Sequence, residues 1–291
     1  MSSASSVDHL TFHGRDFYVK RDELIDPLLS GNKYRKLYSL IQRPAEQHDI
    51  IISFGGTQSN AMLSLAALCR QKGWVFHYTS KPVPLHLKDN LTGNLKMALE
   101  LGMQLHEVAL EDYGQETLRL KSQRDDSTLF VPQGGADPLA QGGIEVLAEE
   151  IKQWQQEHDI ETLNVVTPSG TGTTAYYLAS ALPDVTVLTT AVVGDKPYLE
   201  SQMEMLGGLP LSLRILENRK KYHFAKPYPE FLEIYQELQE AGIEFDLIYA
   251  PKMWHTLLQQ IDSVEGDILY VHSGGLFGNE SMLDRYCHKG F

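Results

Sequence analysis

Short β-branched runs alternate along the chain with longer stretches in which apolar residues recur every three to four positions. DIIISF (49–54) precedes NAMLSLAALCRQKG (60–73), ETLNVVTP (161–168) precedes TTAYYLASAL (173–182), and VTVLTTAVV (185–193) precedes PYLESQMEML (197–206). A strand run followed by a helical run, repeated, predicts parallel strands joined by crossover helices, so the class is α/β. Earlier in the chain, FYVKRDEL (17–24) reads as extended and IDPLLSG (25–31) as a loop. No internal repeat or low-complexity tract interrupts the pattern.

Glycine punctuates it at five places: Gly55-Gly56, Gly134-Gly135, Gly142-Gly143, Gly170 to Gly172, and Gly274-Gly275. In open parallel sheets, ligands bind at the carboxyl ends of strands, where the backbone turns tightly and approaches them closely. The clusters after DIIISF and NVVTP fall at such ends.

Composition narrows the partners. A length of 291 residues suffices for one large or two modest cores. A formal charge of -13 works against binding to nucleic acid or an anionic membrane surface, since phosphate contacts need clustered Lys and Arg. Two cysteines, Cys69 and Cys287, are too few for a disulfide framework, and neither lies in a metal-ligand spacing. No apolar run approaches the roughly 18 residues of a membrane span, and MSSASSVDHLTF has no signal-peptide pattern. A soluble, cytoplasmic protein is the expectation.

Two segments have the chemistry of anion sites. SGTGTTA, Ser169 to Ala175, lies between a strand run and a helical run. Its glycines let successive N–H groups face an anion, the helix start adds its positive end, and Ser169, Thr171, Thr173 and Thr174 offer hydroxyls. The same residues fit GxGxxA through Gly170, Gly172 and Ala175, with Asp195 near the place of a ribose-binding acid, so an NAD(P)-dependent oxidoreductase stands as another reading. In SFGGTQSNAMLSLAA, Ser59, Asn60 and Ala61 open a helix whose amides suit a carboxylate. Either segment also reads as an ordinary capped helix start. Lys33, in GNKYRKL, is one basic residue among three, and spacing alone does not select it over Lys36.

Taken in order, VKRDEL, GNKYRKL, GGTQSNAMLSLAA, GNLKMALELG, VPQGGADPLAQGG, SGTGTTA, AGIEFDLIYAPKM and HSGGLFG resemble one family. They are similar to the fold-type II pyridoxal-phosphate enzymes, specifically the 1-aminocyclopropane-1-carboxylate deaminase and D-cysteine desulfhydrase family, from about Phe17 to Gly278. The resemblance implies a two-domain, tryptophan synthase β-like α/β fold with parallel sheets and flanking helices. Residues 1–36 and 141–291 would form the larger, cofactor-binding domain and 37–140 the smaller, inserted one. It also implies pyridoxal 5'-phosphate as cofactor, a small amino acid as substrate, and a homodimer.

Carried over by position, Lys33 is the Schiff-base lysine and Ser169 to Thr174 the phosphate loop, with Lys36 assisting. Ser59, Asn60 and Ala61 bind the substrate, and Asn60 also bonds the ring hydroxyl. Tyr249 reaches toward the substrate, and Tyr228, in AKPYPEF, is the second tyrosine, in a segment shorter than the family pattern. Ring-opening deaminases of the family carry an acid directly after the reactive tyrosine and a leucine in the C-terminal His-x-Gly-Gly turn. Here those positions are Ala250 and Ser273. A serine hydroxyl can bond a neutral ring nitrogen, and the weaker electron sink it implies suffices for β-elimination. D-cysteine desulfhydration therefore leads, although Ala250 also departs from the hydroxyl residue of the desulfhydrases. A noncatalytic pyridoxal-phosphate or amino-acid binder is the remaining class.

Overall fold

The computed structural model describes residues 4–29, 31–47, 50–89, 91–123, 127–132 and 138–291. Ser30 of the lysine segment and the Gly134-Gly135 cluster lie outside the described residues.

Among the described residues, ten strands form two sheets. The larger holds β1 (Val7–Phe12), β2 (Arg15–Lys20), β7 (Leu163–Val166), β8 (Thr186–Thr189), β9 (Leu213–Ile215) and β10 (Asp267–Val271), in the order β1-β2-β10-β7-β8-β9. The smaller holds β3 (Ile50–Phe54), β4 (Val75–Ser80), β5 (Gln104–Glu107) and β6 (Thr128–Phe130), in the order β5-β4-β3-β6. Every pairing is parallel except that of β1 with β2. This edge hairpin adds one antiparallel pairing to an otherwise parallel sheet. Its turn is His13-Gly14, both at positive φ, which matches the twist of a tight antiparallel hairpin.

The helices are α1 (Asn32–Ile41), α2 (Asn60–Lys72), α3 (Leu85–Asp89), α4 (Gly93–Glu100), α5 (Tyr113–Ser122), α6 (Gln141–Glu157), α7 (Thr173–Ala181), α8 (Lys196–Glu204), α9 (Pro229–Glu240), α10 (Ala250–Leu258) and α11 (Asn279–His288). One face of the larger sheet packs on α6 and α7 through Ile144, Leu147, Ile151 and Leu178, and the other on α9 and α10 through Leu238, Met253 and Trp254. Strands covered on both faces read as continuous apolar runs, and Val165 and Val166 of β7 are fully buried accordingly, while Asn164 beside them donates to Glu265 O and Asp267 O. Around the smaller sheet, Leu37, Met62, Leu65, Leu68 and Leu95 of α1, α2 and α4 make a separate core with Phe76 and Tyr78.

Gly142-Gly143, expected as a turn, lies inside α6. A Cβ on Gly143 would come within 1.9 Å of the Arg35 carbonyl of α1, so this pair serves a helix contact rather than a loop. VTVLTTAVV ends its ladder at Thr189, and beyond it Ala191 makes one isolated bridge with Ser169.

Candidate active site

Lys33 stands in the first turn of α1, whose start is fixed by the far end of the chain. Asn32 N donates to Ser273 O at 3.1 Å. Gly31, at φ +57, approaches the same carbonyl so closely that a Cβ would sit 2.1 Å from it, so only glycine fits there. Beneath Lys33, the fully buried Arg35 guanidinium is saturated by two carboxylates. It donates to Asp22 at 2.8 and 3.0 Å and to Glu150 at 2.7 and 2.8 Å. Glu150 also pairs with Lys20 at 2.7 Å, and Ser5 donates to Asp22 at 2.6 Å. Each buried charge thus has several partners, the condition under which such a network holds one geometry rather than destabilising the fold.

Desolvation brings the Lys33 amine down to about 8, opposed by the negative charge of Asp246. Its Nζ donates to Asn32 Oδ1 at 3.2 Å. Lys36, one turn on, is held well below its ordinary range by burial first and by Lys33 second. The amine of Lys33 is therefore partly neutral near pH 8 and able to act as a nucleophile.

The turn from β7 into α7 holds the Ser169 to Thr174 segment. Gly172 caps α7 in the left-handed conformation at φ 79, and no side chain caps the first turn, so the amides of Thr173, Thr174 and Ala175 have no side-chain acceptor. Ser169 is committed to the protein: Thr189 Oγ1 donates to Thr167 O, so Ser169 Oγ donates to Thr189 Oγ1 at 2.7 Å. Thr171 and Thr173 bond each other at 3.0 Å. Thr174 Oγ1 is buried without a hydrogen-bond partner. Asp195 caps α8, accepting from Tyr198 N at 3.0 Å, which gives the would-be ribose acid a structural task.

The turn from β3 into α2 is different. Ser59 is the N-cap of α2 and accepts from Met62 N at 3.4 Å. Asn60 Oδ1 accepts from the buried Asn94 Nδ2 at 2.8 Å, leaving its NH2 end as a donor packed on Gly275. That contact joins the smaller sheet's α2 to the HSGG turn after β10. Ala61 follows in the first turn.

Tyr249 lies against the glycine loop, its ring 3.4 Å from where a Cβ of Gly170 would be. Burial, aided by Asp246, pushes its phenol up to about 12, so it is a hydrogen-bond donor at neutral pH. Asp246 accepts from the amides of Tyr249 (2.6 Å), Ile248 (3.0 Å) and Ala250 (3.3 Å) and so fixes the start of α10. Ala250 is buried and brings only a methyl group. Ser273 Oγ is buried without a partner.

Tyr228 makes contacts within the 222–231 segment. Its hydroxyl accepts from His223 N at 3.0 Å and its ring packs on Tyr222 and Phe231. The aromatic ring that meets Tyr249 is Phe224, at 5.7 Å between centroids.

Asp246, Glu150, Asp22 and Asn94 were missed by sequence reasoning. Only Asp246 has a local signal: an acid three and four residues before the tyrosine and the helix start, with Pro251 at the second helical position.

Parallel α/β sheets, a desolvated lysine and an uncapped glycine-threonine helix start define an enzyme that holds a phosphorylated carbonyl cofactor. The chain belongs to the pyridoxal-phosphate dependent enzyme family, whose sequence model matches residues 6–202. It is 28% identical over 302 residues to the mitochondrial bifunctional D-cysteine desulfhydrase/1-aminocyclopropane-1-carboxylate deaminase of Arabidopsis thaliana, covering 94% of this chain and 75% of that one. To the D-cysteine desulfhydrase of Serratia proteamaculans it is 26% identical, covering 94% of this chain and 92% of that one. A crystal structure of a homologue of ACC deaminase (the same ring-opening enzyme) shares the fold, with a TM-score of 0.77 at 22% identity over 97% of this chain and 94% of that one.

Membership in this family replaces the nicotinamide reading and makes pyridoxal phosphate the cofactor. The residues present fit it: a desolvated amine for the aldehyde, an unpartnered Thr174 hydroxyl beside bare amides for the phosphate, and an unpartnered Ser273 hydroxyl for a ring acceptor. No helix among the described residues is long and apolar enough to cross a membrane.

Proposed function

We propose that the chain eliminates the β-substituent of a small amino acid, with D-cysteine the leading substrate and pyruvate, ammonia and sulfide the products. Ring-opening deamination of 1-aminocyclopropane-1-carboxylate is the alternative. The observation that carries the ordering is the pair Ala250 and Ser273: one buried methyl and one buried unpartnered hydroxyl, with no acid at either position. A methyl cannot pair with a protonated ring nitrogen, whereas a hydroxyl can donate to a neutral one.

Bound pyridoxal phosphate supplies the electron sink for bond breaking at the substrate α-carbon. Lys33 would hold it, and its tethered neutral amine would take the α-proton of the substrate. The amides of Asn60 and Ala61 and the Ser59 hydroxyl orient the substrate carboxylate, while the Asn60 NH2 group bonds the ring hydroxyl. Gly170 to Thr174 bind the phosphate, with Ser169 supporting the loop through Thr189 and Lys36 assisting. Tyr249, kept protonated by burial, donates a hydrogen bond to the departing sulfur.

We read the two sheets as two domains, 1–36 with 141–291 and 37–140, with the cofactor between them, in a cytoplasmic homodimer. This reading is supported by the confinement of the four-stranded sheet to strands between Ile50 and Phe130.

Side-by-side assays of pyruvate release from D-cysteine, L-cysteine and D-serine, and of ketoacid release from the cyclopropane substrate, test the ordering. D-cysteine turnover should dominate; faster ring opening would reverse it.

A further inference from the structure

Behind the turn that carries Ser273 lie two buried ionisable groups with no part in the chemistry above. Glu23 sits in the 3-10 turn Asp22–Leu24 that follows β2. Its Oε1 accepts from Arg21 Nε, while Oε2 is buried without a hydrogen-bond partner, 3.4 Å from His272 Nδ1. His272 follows β10 and is fully buried. Its Nε2 is 2.8 Å from Glu244 O, so Nε2 carries a proton and donates to that carbonyl, and Gly274 N donates to Nδ1 at 3.1 Å. The ring is clamped on Phe245, stacked at 4.4 Å.

With Glu23 ionised, its unpartnered Oε2 would face the Nδ1 lone pair, toward which Gly274 N is the donor. One proton between them removes that repulsion. Burial is the largest cause of keeping it on Glu23; of the surrounding charges Arg21 opposes it, while Asp22 and Asp246 favour it. Arg21 is shared with Asp8, and Asp22 is matched by Arg35 of α1, while Asp246, before α10, adds a negative charge on the His272 side.

We propose that Glu23 and His272 share one proton, resting on Glu23 Oε2 so that Nδ1 still accepts from Gly274 N, and act as a positioning pair, fixing the Ser273 to Gly275 turn against the start of the lysine helix. The turn is held from behind by Gly274 N on Nδ1, and in front it supplies Ser273 O to Asn32 N and the Gly275 surface to Asn60. Burial lifts the Glu23 carboxyl from 4.5 to about 7 and lowers the imidazole, so the proton rests on the pair under acidic conditions. Because the folded value is raised, the stabilisation is complete below 4.5 and is lost as pH rises through about 7. The positioning role rests on the reading that Ser273 faces the cofactor; the shared proton does not.

The test has two arms. In cofactor-free protein with 15N-labelled histidine, the His272 signals, assigned by their loss in His272→Gln, should move in one step near pH 7, and Glu23→Gln should abolish that step. A His272 signal that is flat from pH 5 to 9, or that titrates alike in both proteins, overturns the shared proton. In the loaded enzyme, Glu23→Ala should lower kcat about tenfold with little change in KM, the size expected for losing one buried hydrogen bond. Glu23→Gln can donate to Nδ1 without titrating, so its kcat relative to wild type should rise with pH through 7. An unchanged kcat in Glu23→Ala, or a flat Gln to wild-type ratio, overturns the positioning role. The first arm needs no pyridoxal phosphate and stands even if the catalytic reading fails.

Discussion

Two strand-to-helix turns in this molecule look alike in sequence, each a glycine cluster followed by hydroxyl residues, yet the structure finishes them differently. The β3–α2 turn is capped by the protein: Ser59 accepts from Met62 N and Asn94 of α4 donates to the Asn60 carbonyl, leaving the amides of Asn60 and Ala61 for a ligand. At the β7–α7 turn no side chain among the described residues caps the first turn, and the Thr174 hydroxyl is buried unpartnered. Leaving a buried polar group unmet costs about 1–3 kcal/mol unless a partner arrives. A turn left unfinished in this way suits a ligand that stays, as a cofactor does. A turn that the protein caps suits one that comes and goes, since the substrate-free enzyme must be stable between turnovers.

Lys33→Ala separates the two turns most sharply, because it removes covalent attachment while leaving both anion sites intact. Turnover should fall by about a thousandfold or more. The protein should still take up pyridoxal phosphate noncovalently through the β7–α7 turn, seen as retained cofactor on equilibrium dialysis without borohydride-stable labelling of the α1 peptide. Complete loss of binding would mean that the open turn is no phosphate site.

The next largest effect concerns pH. Since the Lys33 amine is brought down to about 8, its neutral fraction falls with acidity below that value. The rate of covalent loading of cofactor-free protein should therefore drop about tenfold per pH unit below 8 and level off above it. An ordinary lysine would keep rising toward its usual value of 10.5. Stopped-flow absorbance at fixed cofactor concentration measures this. A rate still climbing beyond pH 9 would show that the amine is not desolvated.

Thr174→Val replaces the unpartnered hydroxyl with a methyl of similar shape. Cofactor affinity should weaken about tenfold, while cofactor-free protein should gain about 1 kcal/mol, since a buried unsatisfied group is removed. Denaturant melts with and without pyridoxal phosphate give both numbers. A loss of stability in the cofactor-free form would mean that the hydroxyl is already bonded and the turn is complete.

Why both turns were legible in sequence, and their difference was not, follows from where the deciding contacts come from. Strands β3, β7 and β8 announce themselves because burial on both faces demands apolar, β-branched runs. The glycine-rich starts of α2 and α7 follow directly. The edge hairpin β1–β2 escaped the pattern because one antiparallel strand needs only a two-residue turn, His13-Gly14, among polar neighbours.

Gly142-Gly143 has the composition of a turn, but its cause is the Arg35 carbonyl of a helix more than a hundred residues earlier. The same holds at the site. The order of motifs located Lys33 and both turns, whereas the partners that set their character are distant in sequence: Glu150 for Arg35, Asn94 for Asn60, Ser273 for Asn32. Tyr228 shows the converse, a residue in a suitable local setting whose hydroxyl the fold spends on His223.

The smallest predicted effect decides whether the two turns truly differ in kind. Ser59→Ala removes the α2 cap, and at 3.4 Å that bond is long, so the cost should lie near the low end for caps, about 0.5 kcal/mol. The sign is opposite to that of Thr174→Val, because here a satisfied group is lost. Cofactor affinity should hardly move, while KM for the amino acid should rise a few-fold as the helix start loses its hydroxyl and its fixed geometry. Melting of the cofactor-free protein, paired with KM and cofactor affinity for both variants, sets the results side by side. If Ser59→Ala also stabilised the protein and weakened cofactor binding, the β3–α2 turn would be a second unfinished site. The division between a resident anion and a passing one would then have no structural basis.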